Sequence, residues 1–263
     1  AKDNADKTMF QKRFAPGKNA DEMTLVADLK IDPNDKRTLK DCHDDKVIGA
    51  VNSSSDESKS GNAWKPVKVL GIGGFGTVTL VKNKLGEHAA VKTLEFKHND
   101  PNVHAALQLL KREIRVLRLA DHPNIVKYYK STRTKNAVHM FMEYCPGGSI
   151  KAKYSSQGPI DMVNAKRYLQ DILSGLAFLH EKDIIHRDIK GDNVLLGLKD
   201  DAKLADFGAA VDLSELSQVT RIGTFFWMAP EVLTGEGHRW EADIWSVGCT
   251  LIEMLTARRP FSW

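Results

Sequence analysis

At 263 residues, 42% apolar and 27% charged, the chain has room for one large domain or for two lobes and a tail. A net charge of +4 is small for this length and compels neither a nucleic-acid nor a membrane partner. Cys42, Cys145 and Cys249 lie far apart and fit neither a disulfide framework nor a zinc site, which favours a reducing, cytoplasmic compartment.

No apolar stretch approaches the roughly 20 residues that a spanning helix needs, and AKDNADKTMFQKRF lacks the apolar centre of a secretory signal. Residues 1–63 hold 11 Lys+Arg and 12 Asp+Glu, which leaves 27 against 22 for the rest. VNSSSDESKSG (51–61) mixes serine with both signs of charge and reads as a linker. Within this N-terminal extension only MTLVADLKI (23–31) reads as a short strand, and Cys42-His43-Asp44 reads as a solvated polar run.

From Trp64 the pattern changes. KPVKVLGI, TVTLVKN and EHAAVKTLEF are short β-rich runs separated by Gly and Asn, a strand meander. HAALQLLKREIRVLRLA (104–120) sets Leu107, Leu110, Ile114 and Leu117 on one helical stripe. NIVKYYKS and AVHMFMEYC predict two further strands. AKRYLQDILSGLAFLHEK (165–182) is an amphipathic helix, and EADIWSVGCTLIEMLTA (241–257) is apolar on enough faces to predict deep burial. Strands first and helices later give an α+β arrangement of two unlike lobes.

GIGGFGTV (71–78) contains Gly-x-Gly-x-x-Gly, where backbone amides can approach phosphates that a Cβ would hold away. A Walker loop would need Lys-Ser/Thr after the last glycine, and Thr77-Val78 stand there instead. A dinucleotide fold would need a helix from Gly76, with Glu95 as the ribose-binding acid, but TVTLV is β-branched and strand-like. A plain glycine-rich hairpin stays open, as does a phosphate loop served by a lysine on the next strand. AAVK supplies that lysine, Lys92. Glu113, a carboxylate among apolar neighbours on the 104–120 helix, would offset its own desolvation by pairing with Lys92. Taken alone, Lys92 could equally be a solvated strand end and Glu113 a surface acid.

IIHRDIKGDNVLL (184–196) sets Arg187, Asp188, Lys190, Asp192 and Asn193 between apolar brackets. Taken with Lys92, Glu113, HPNIV (122–126), DFG (206–208) and APE (229–231), this order and spacing resembles the eukaryotic protein kinases over residues 64–263. NIVKYY, MEYCPGGSI, HRDIKGDN and GTFFWMAPEV are similar to the mitogen-activated protein kinase kinase kinases and their sterile-20-like relatives. The resemblance implies a β-rich N-lobe over 64–144, a helical C-lobe over 145–263, and ATP and Mg²⁺ as cofactors. The loose, charged transition state of phosphoryl transfer calls mainly for positioning and charge neutralisation. By resemblance Asp188 is the catalytic base, Lys190 neutralises the γ-phosphate, Asn193 and Asp206 ligate the metal, and Lys92, held by Glu113, grips the α/β-phosphates.

The same resemblance implies nucleotide contacts from Leu70, Gly71, Ile72, Gly73, Gly74, Phe75, Gly76, Thr77 and Val78. Val78 and Ala90 would roof the adenine and Leu195 floor it. Met142 would be the gatekeeper, and Glu143 and Cys145 the hinge contacts, with Cys145 a packed rather than reactive thiol. Lys190 and Thr224 resemble serine/threonine-kinase features. Arg187, read as an unpaired guanidinium beside the base, invites a phosphate on the loop 209–224. Thr220 is the favoured site, Ser217 and Thr224 are further regulatory hydroxyls, and Ser214 reads as solvent-facing. Asp243 is expected to bind backbone amides of the catalytic loop, and His98 and His104 receive no role.

The resemblance also implies further helices after RRPFSW, with an arginine for Glu231 among them, so the C-lobe reads as truncated and the chain as marginally stable. Protein substrates are implied, a mitogen-activated protein kinase kinase among the candidates, with the upstream activator unknown. A sterile-20-like kinase remains open beside the kinase-kinase-kinase reading, and so does a pseudokinase scaffold. Lys92, Asp188, Asn193 and Asp206, which pseudokinases commonly lose, are all present.

Overall fold

The computed structural model describes residues 63–73, 76–95, 103–134, 136–213, 223–237 and 239–262. The expectations for residues 1–62, and those for Gly74, Phe75, His98, Ser214, Ser217 and Thr220, lie outside the described residues. Two compact units emerge, one from residues up to Lys111 with Lys130–Phe141, the other from Arg112–Tyr129 with Met142–Trp263. Residues 112–129, which the sequence reading assigns to the first lobe, therefore group with the second unit.

In the first unit the β-branched run TVTLVK finds a strand on either side. Strands β1 (Lys65–Gly73), β2 (Gly76–Lys82), β3 (His88–Glu95), β4 (Tyr128–Arg133) and β5 (Ala137–Met142) form one sheet in the order β1-β2-β3-β5-β4. Asn83 closes the β2–β3 turn, its side-chain oxygen accepting the N–H groups of Leu85 and Glu87. In the resulting register Val78 faces Lys92 and Leu80 faces Ala90, so these four side chains share one face of the sheet. Val81, Ala89 and Val91 point the other way and pack with Trp64 and Phe141 as a buried cluster. The Trp64 ring meets Phe141 edge-on at 6.4 Å.

Helix α1 (Val103–Leu119) buries the expected stripe of Leu107, Leu110, Ile114 and Leu117. NIVKYYKS is only half strand. β4 begins at Tyr128, and Asn124–Val126 are instead tied to Leu204 by Leu204 N–H to Asn124 O (2.8 Å) and Val126 N–H to Leu204 O (3.0 Å). Asn124 adds a side-chain donor to Ala202 O at 3.0 Å, so the polar residue that precedes Ile125-Val126 is itself a brace.

The second unit is mainly helical. Helix α2 (Ile150–Gln157) is capped by Ser149 and α3 (Met162–His180) by Asp161, each side chain accepting first-turn N–H groups. Gly175 lets α3 approach Asn124 and Leu204, because a Cβ there would stand 2.8 Å from Asn124 O. Two short ladders, β6 (Ile184–Ile185) with β9 (Val211–Asp212) and β7 (Val194–Leu196) with β8 (Ala202–Leu204), fix the ends of the charged run. Helices α4 (Pro230–Thr234) and α5 (Trp240–Thr256) follow.

Helix α5 departs from the expected apolar burial. It buries Asp243, Ser246, Thr250 and Glu253 beside Val247, Cys249 and Met254, and leaves Trp240, Ile244 and Trp245 exposed. Its inner face is partly polar because those groups have partners there. Ser246 Oγ, for example, donates to Trp227 O at 2.7 Å. Among the described residues no helix is long and apolar enough to cross a membrane.

Candidate active site

The apolar brackets of the charged run are strands, as expected: Ile184-Ile185 on one side and Val194–Leu196 on the other. Between them the loop is held from beneath by Asp243, whose oxygens accept the backbone N–H groups of His186 (2.9 Å) and Arg187 (2.8 Å). Arg187 adopts φ +67°, a left-handed conformation that a non-glycine residue holds only when its surroundings fix it. Gly223 passes closely here, since a Cβ on it would lie 2.6 Å from Arg187 O.

Above this mount Asp188 collects donors. Lys190 Nζ reaches its Oδ2 at 2.6 Å, Asn193 Nδ2 reaches the same oxygen at 2.8 Å, and the Thr224 hydroxyl donates to Oδ1 at 2.7 Å. Lys190 Nζ also donates to Thr224 Oγ1 at 2.7 Å, which closes a triangle of carboxylate, ammonium and hydroxyl. Thr224, expected as a regulatory hydroxyl, thus spends its proton on Asp188. A carboxylate so held can accept a proton from a hydroxyl placed beside it while its orientation stays fixed.

Asn193 commits both amide hydrogens to Asp188, one to its carbonyl and one to its carboxylate, each at 2.8 Å, which leaves Oδ1 as a possible ligand oxygen. Asp206 stands at φ +59° immediately before a single turn of 3₁₀ helix over Phe207–Ala209. An amide oxygen and a carboxylate form a hard-oxygen donor set that fits Mg²⁺, which commonly completes its shell with phosphate and water oxygens. Phe207 is fully buried against the His186 ring at 4.9 Å. That ring accepts the Asp188 N–H at Nδ1 (3.4 Å), so Nε2 carries the proton donated to Ala205 O at 3.1 Å.

Arg187 corrects an expectation. Its guanidinium is buried rather than unpaired, and Nε donates to Ala209 O at 2.7 Å, two residues past Phe207. Burial pushes it down to about 10, Arg112 adds to the fall and Asp243 opposes it.

Where the chain re-enters the second unit, Met142 is half-buried and Glu143 is fully engaged. Glu143 donates its N–H to Lys127 O at 2.8 Å, and its carboxylate accepts Lys127 N–H at 3.2 Å and Lys203 Nζ at 3.1 Å. Its backbone can offer a ligand only the carbonyl. Cys145 is buried, and burial together with the Glu143 charge pushes its thiol up to about 12, the signature of a packed and unreactive cysteine. Leu195 is half-buried on β7, and Gly148, at φ +70°, turns the chain after Cys145.

In the first unit Leu70, Gly71, Ile72 and Gly73 are exposed on β1, while Thr77 and Val78 are half-buried on β2. Of the three motif glycines only Gly76 is demanded by the fold. Its φ is +115°, and a Cβ would lie 2.2 Å from Thr93 O, whereas Gly71 and Gly73 have nothing within 4 Å. Ala90 and Lys92 are buried on β3; Glu113, buried on α1, falls within the second unit.

Sequence reasoning missed two residues of the second unit. His180 Nε2 lies 2.9 Å from Asp243 Oδ2, and Glu253 accepts N–H groups from Gly191 and Trp227. A polar residue inside an otherwise apolar helical run, as Glu253 is in TLIEML, was the available signal.

Residues 64–263 match the family described as protein kinase domain. The chain belongs to the protein kinase family. This kinase is 41% identical over 208 residues to mitogen-activated protein kinase kinase kinase ANP1 of Arabidopsis thaliana, a match covering 76% of the chain and 31% of that relative. It is 43% identical over 204 residues to mitogen-activated protein kinase kinase kinase A of Dictyostelium discoideum, covering 76% and 22%. It is 34% identical over 252 residues to human mitogen-activated protein kinase kinase kinase 3, covering 93% and 40%. The kinase therefore spans well under half the length of these relatives. Its fold is the α+β kinase fold, with a β-sheet unit and a helical unit. Protein kinases as a family use ATP and Mg²⁺.

Proposed function

We propose that this chain carries a serine/threonine protein kinase activity and acts as a mitogen-activated protein kinase kinase kinase, with mitogen-activated protein kinase kinases as its protein substrates. The observation that carries this reading is the Asp188 carboxylate, oriented by Lys190, Asn193 and Thr224 on a loop mounted from beneath by Asp243. In this reading Asp188 accepts the proton of the acceptor hydroxyl and Lys190 steadies the transferred phosphoryl group. Asn193 and Asp206 hold Mg²⁺, and Lys92, with Glu113, holds the α/β-phosphates of ATP.

The exposed glycine-bearing strand Leu70–Gly73 with Thr77 and Val78 covers the phosphates. Val78, Ala90, Met142 and Leu195 supply apolar contact to the adenine, and Glu143 and Cys145 its backbone hydrogen bonds. Phosphorylation at Thr220 or Ser217 raises activity. The Lys190–Thr224 contact joins the two residues that resemble serine/threonine-kinase features, which supports serine and threonine as acceptors.

The test is transfer of labelled γ-phosphate to a catalytically inactive mitogen-activated protein kinase kinase, with Mg²⁺ present or chelated. The expected result is Mg²⁺-dependent label on serine or threonine, reduced about 10²–10⁴-fold in Asp188→Asn, the range for loss of a general base. Label on tyrosine, or equal transfer by Asp188→Asn, would reject the reading.

A further inference from the structure

Helix α5 carries two fully buried carboxylates ten residues apart, Asp243 and Glu253, about 15 Å along the helix axis. Asp243 holds the beginning of the catalytic loop through the His186 and Arg187 amides. Glu253 meets its other end. Its Oε2 accepts Gly191 N–H at 2.8 Å and Trp227 Nε1–H at 3.2 Å, and its Oε1 accepts the Tyr154 hydroxyl. Three neutral donors from three separate segments converge on one side chain. Burial pushes the carboxyl above its ordinary range, against those hydrogen bonds.

The contacts around Gly191 leave little freedom. A Cβ on Gly191 would stand 2.9 Å from the Glu253 carboxyl, and Gly191 O accepts Lys151 N–H at 3.0 Å, so this residue is held through both its N–H and its carbonyl. Gly191 follows Lys190 directly, and Trp227 donates its own backbone N–H to Thr224 O at 2.9 Å. Glu253 therefore holds the neighbour of Lys190 and the residue that closes the turn after Thr224. Lys190 and Thr224 are two of the three side chains that bond the Asp188 carboxylate, Asn193 being the third.

We infer that Glu253 is a positioning residue that sets Lys190 and Thr224 against Asp188 through Gly191 and Trp227. The inference rests on the phosphotransfer reading above for its consequence in rate, but not for the contact itself. A displacement of about 1 Å at a reacting centre can cost on the order of 10²-fold in rate. The loss should fall on kcat, because none of the residues proposed to hold the adenine or the α/β-phosphates is touched.

The test compares four variants of the full chain: Glu253→Ala, Gly191→Ala, Glu253→Gln and Tyr154→Phe. Each is assayed for kcat, KM for ATP, thermal midpoint and amide exchange at Gly191. Glu253→Ala and Gly191→Ala should each lower kcat by at least about tenfold with KM for ATP within about twofold. Glu253→Gln should restore most of kcat, because its carbonyl can accept both N–H groups while its amide donates to the Tyr154 oxygen. Tyr154→Phe removes only the third bond, so it should lower the thermal midpoint and leave kcat within about twofold.

An equal kcat loss in Tyr154→Phe and Glu253→Ala would overturn the inference, because the effect would then be general destabilisation. Unchanged kcat in Glu253→Ala would overturn it as well. Should Glu253→Ala fail to fold, Gly191→Ala against Tyr154→Phe makes the same comparison, with Glu253→Gln supplying the exchange reference. If the unsubstituted chain transfers no phosphate but Glu253→Ala speeds exchange at Gly191, the phosphotransfer reading fails and the mount stands. Unchanged exchange at Gly191 rejects the mount whatever the activity.

Discussion

Strand β1 is exposed from Lys65 to Gly73 and, among the described residues, pairs with β2 alone, through a register that shifts at two places. The loop from His186 to Asn193 buries His186, Arg187 and Asn193 and is fixed by Asp243 at one end and Glu253 at the other. Both stretches carry motif residues, yet one is an edge strand and the other is clamped inside a helical unit. An irregular edge strand can adjust its backbone at low cost, which suits the phosphate cover proposed above. A base must hold its orientation while a proton moves, and buried carboxylates bonded to backbone amides provide that rigidity.

The contrast would be broken most forcefully at Asp243. Asp243→Ala orphans two buried N–H groups and should cost about 3–5 kcal/mol of stability in the second unit. It should abolish phosphate transfer even under conditions where the protein stays folded. Retained activity with a near-normal denaturation midpoint would show that the loop is not mounted from α5.

A smaller effect is expected in the first unit, and it separates fold from function among the glycines. Gly76→Ala should cost about 1–3 kcal/mol, because φ +115° disfavours any side chain and Thr93 O blocks the Cβ. Gly71→Ala should stay within about 0.5 kcal/mol in stability and act only on nucleotide affinity. Equal destabilisation by the two, measured by urea denaturation, would erase the distinction.

The smallest expected effect concerns pH. The folded-state carboxyl of Glu253 titrates above its ordinary 4.5, so the folded protein holds that proton more tightly than the unfolded chain. Its contribution is fully present below pH 4.5 and is lost as pH rises through the raised folded value. The stability of Glu253→Gln relative to the unsubstituted protein should therefore improve as pH rises across that window. A difference independent of pH would mean that the carboxyl is not perturbed.

Much of this was legible in the residues. The β-branched alternation of TVTLVK, the Leu107–Leu117 stripe and the apolar brackets around HRDIKGDN each express a local preference, so strands and helices fell near their expected limits. Asp243 was legible too, since a carboxylate in an apolar helix has to be satisfied by something polar. Arg187 was misread because adjacency to the base says nothing about burial, and its partner, Ala209 O, lies 22 residues away. NIV was misread as strand because short apolar runs bury equally well as an irregular segment pinned to β8. Glu253 went unnoticed because its donors come from residues 154, 191 and 227, separations no local pattern encodes.

The sequence by itself determined the family, the order of strands and helices, and the identity of the charged groups, because periodicity and motif spacing are local properties of the chain. Only the tertiary structure decided which polar groups satisfy one another: that Thr224 and Lys190 close on Asp188, that Gly76 alone among the motif glycines is sterically required, and that α5 turns a polar face inward. Those outcomes depend on atoms brought together across long sequence separations, where the cost of burying a polar group is met by a partner that the folded chain supplies.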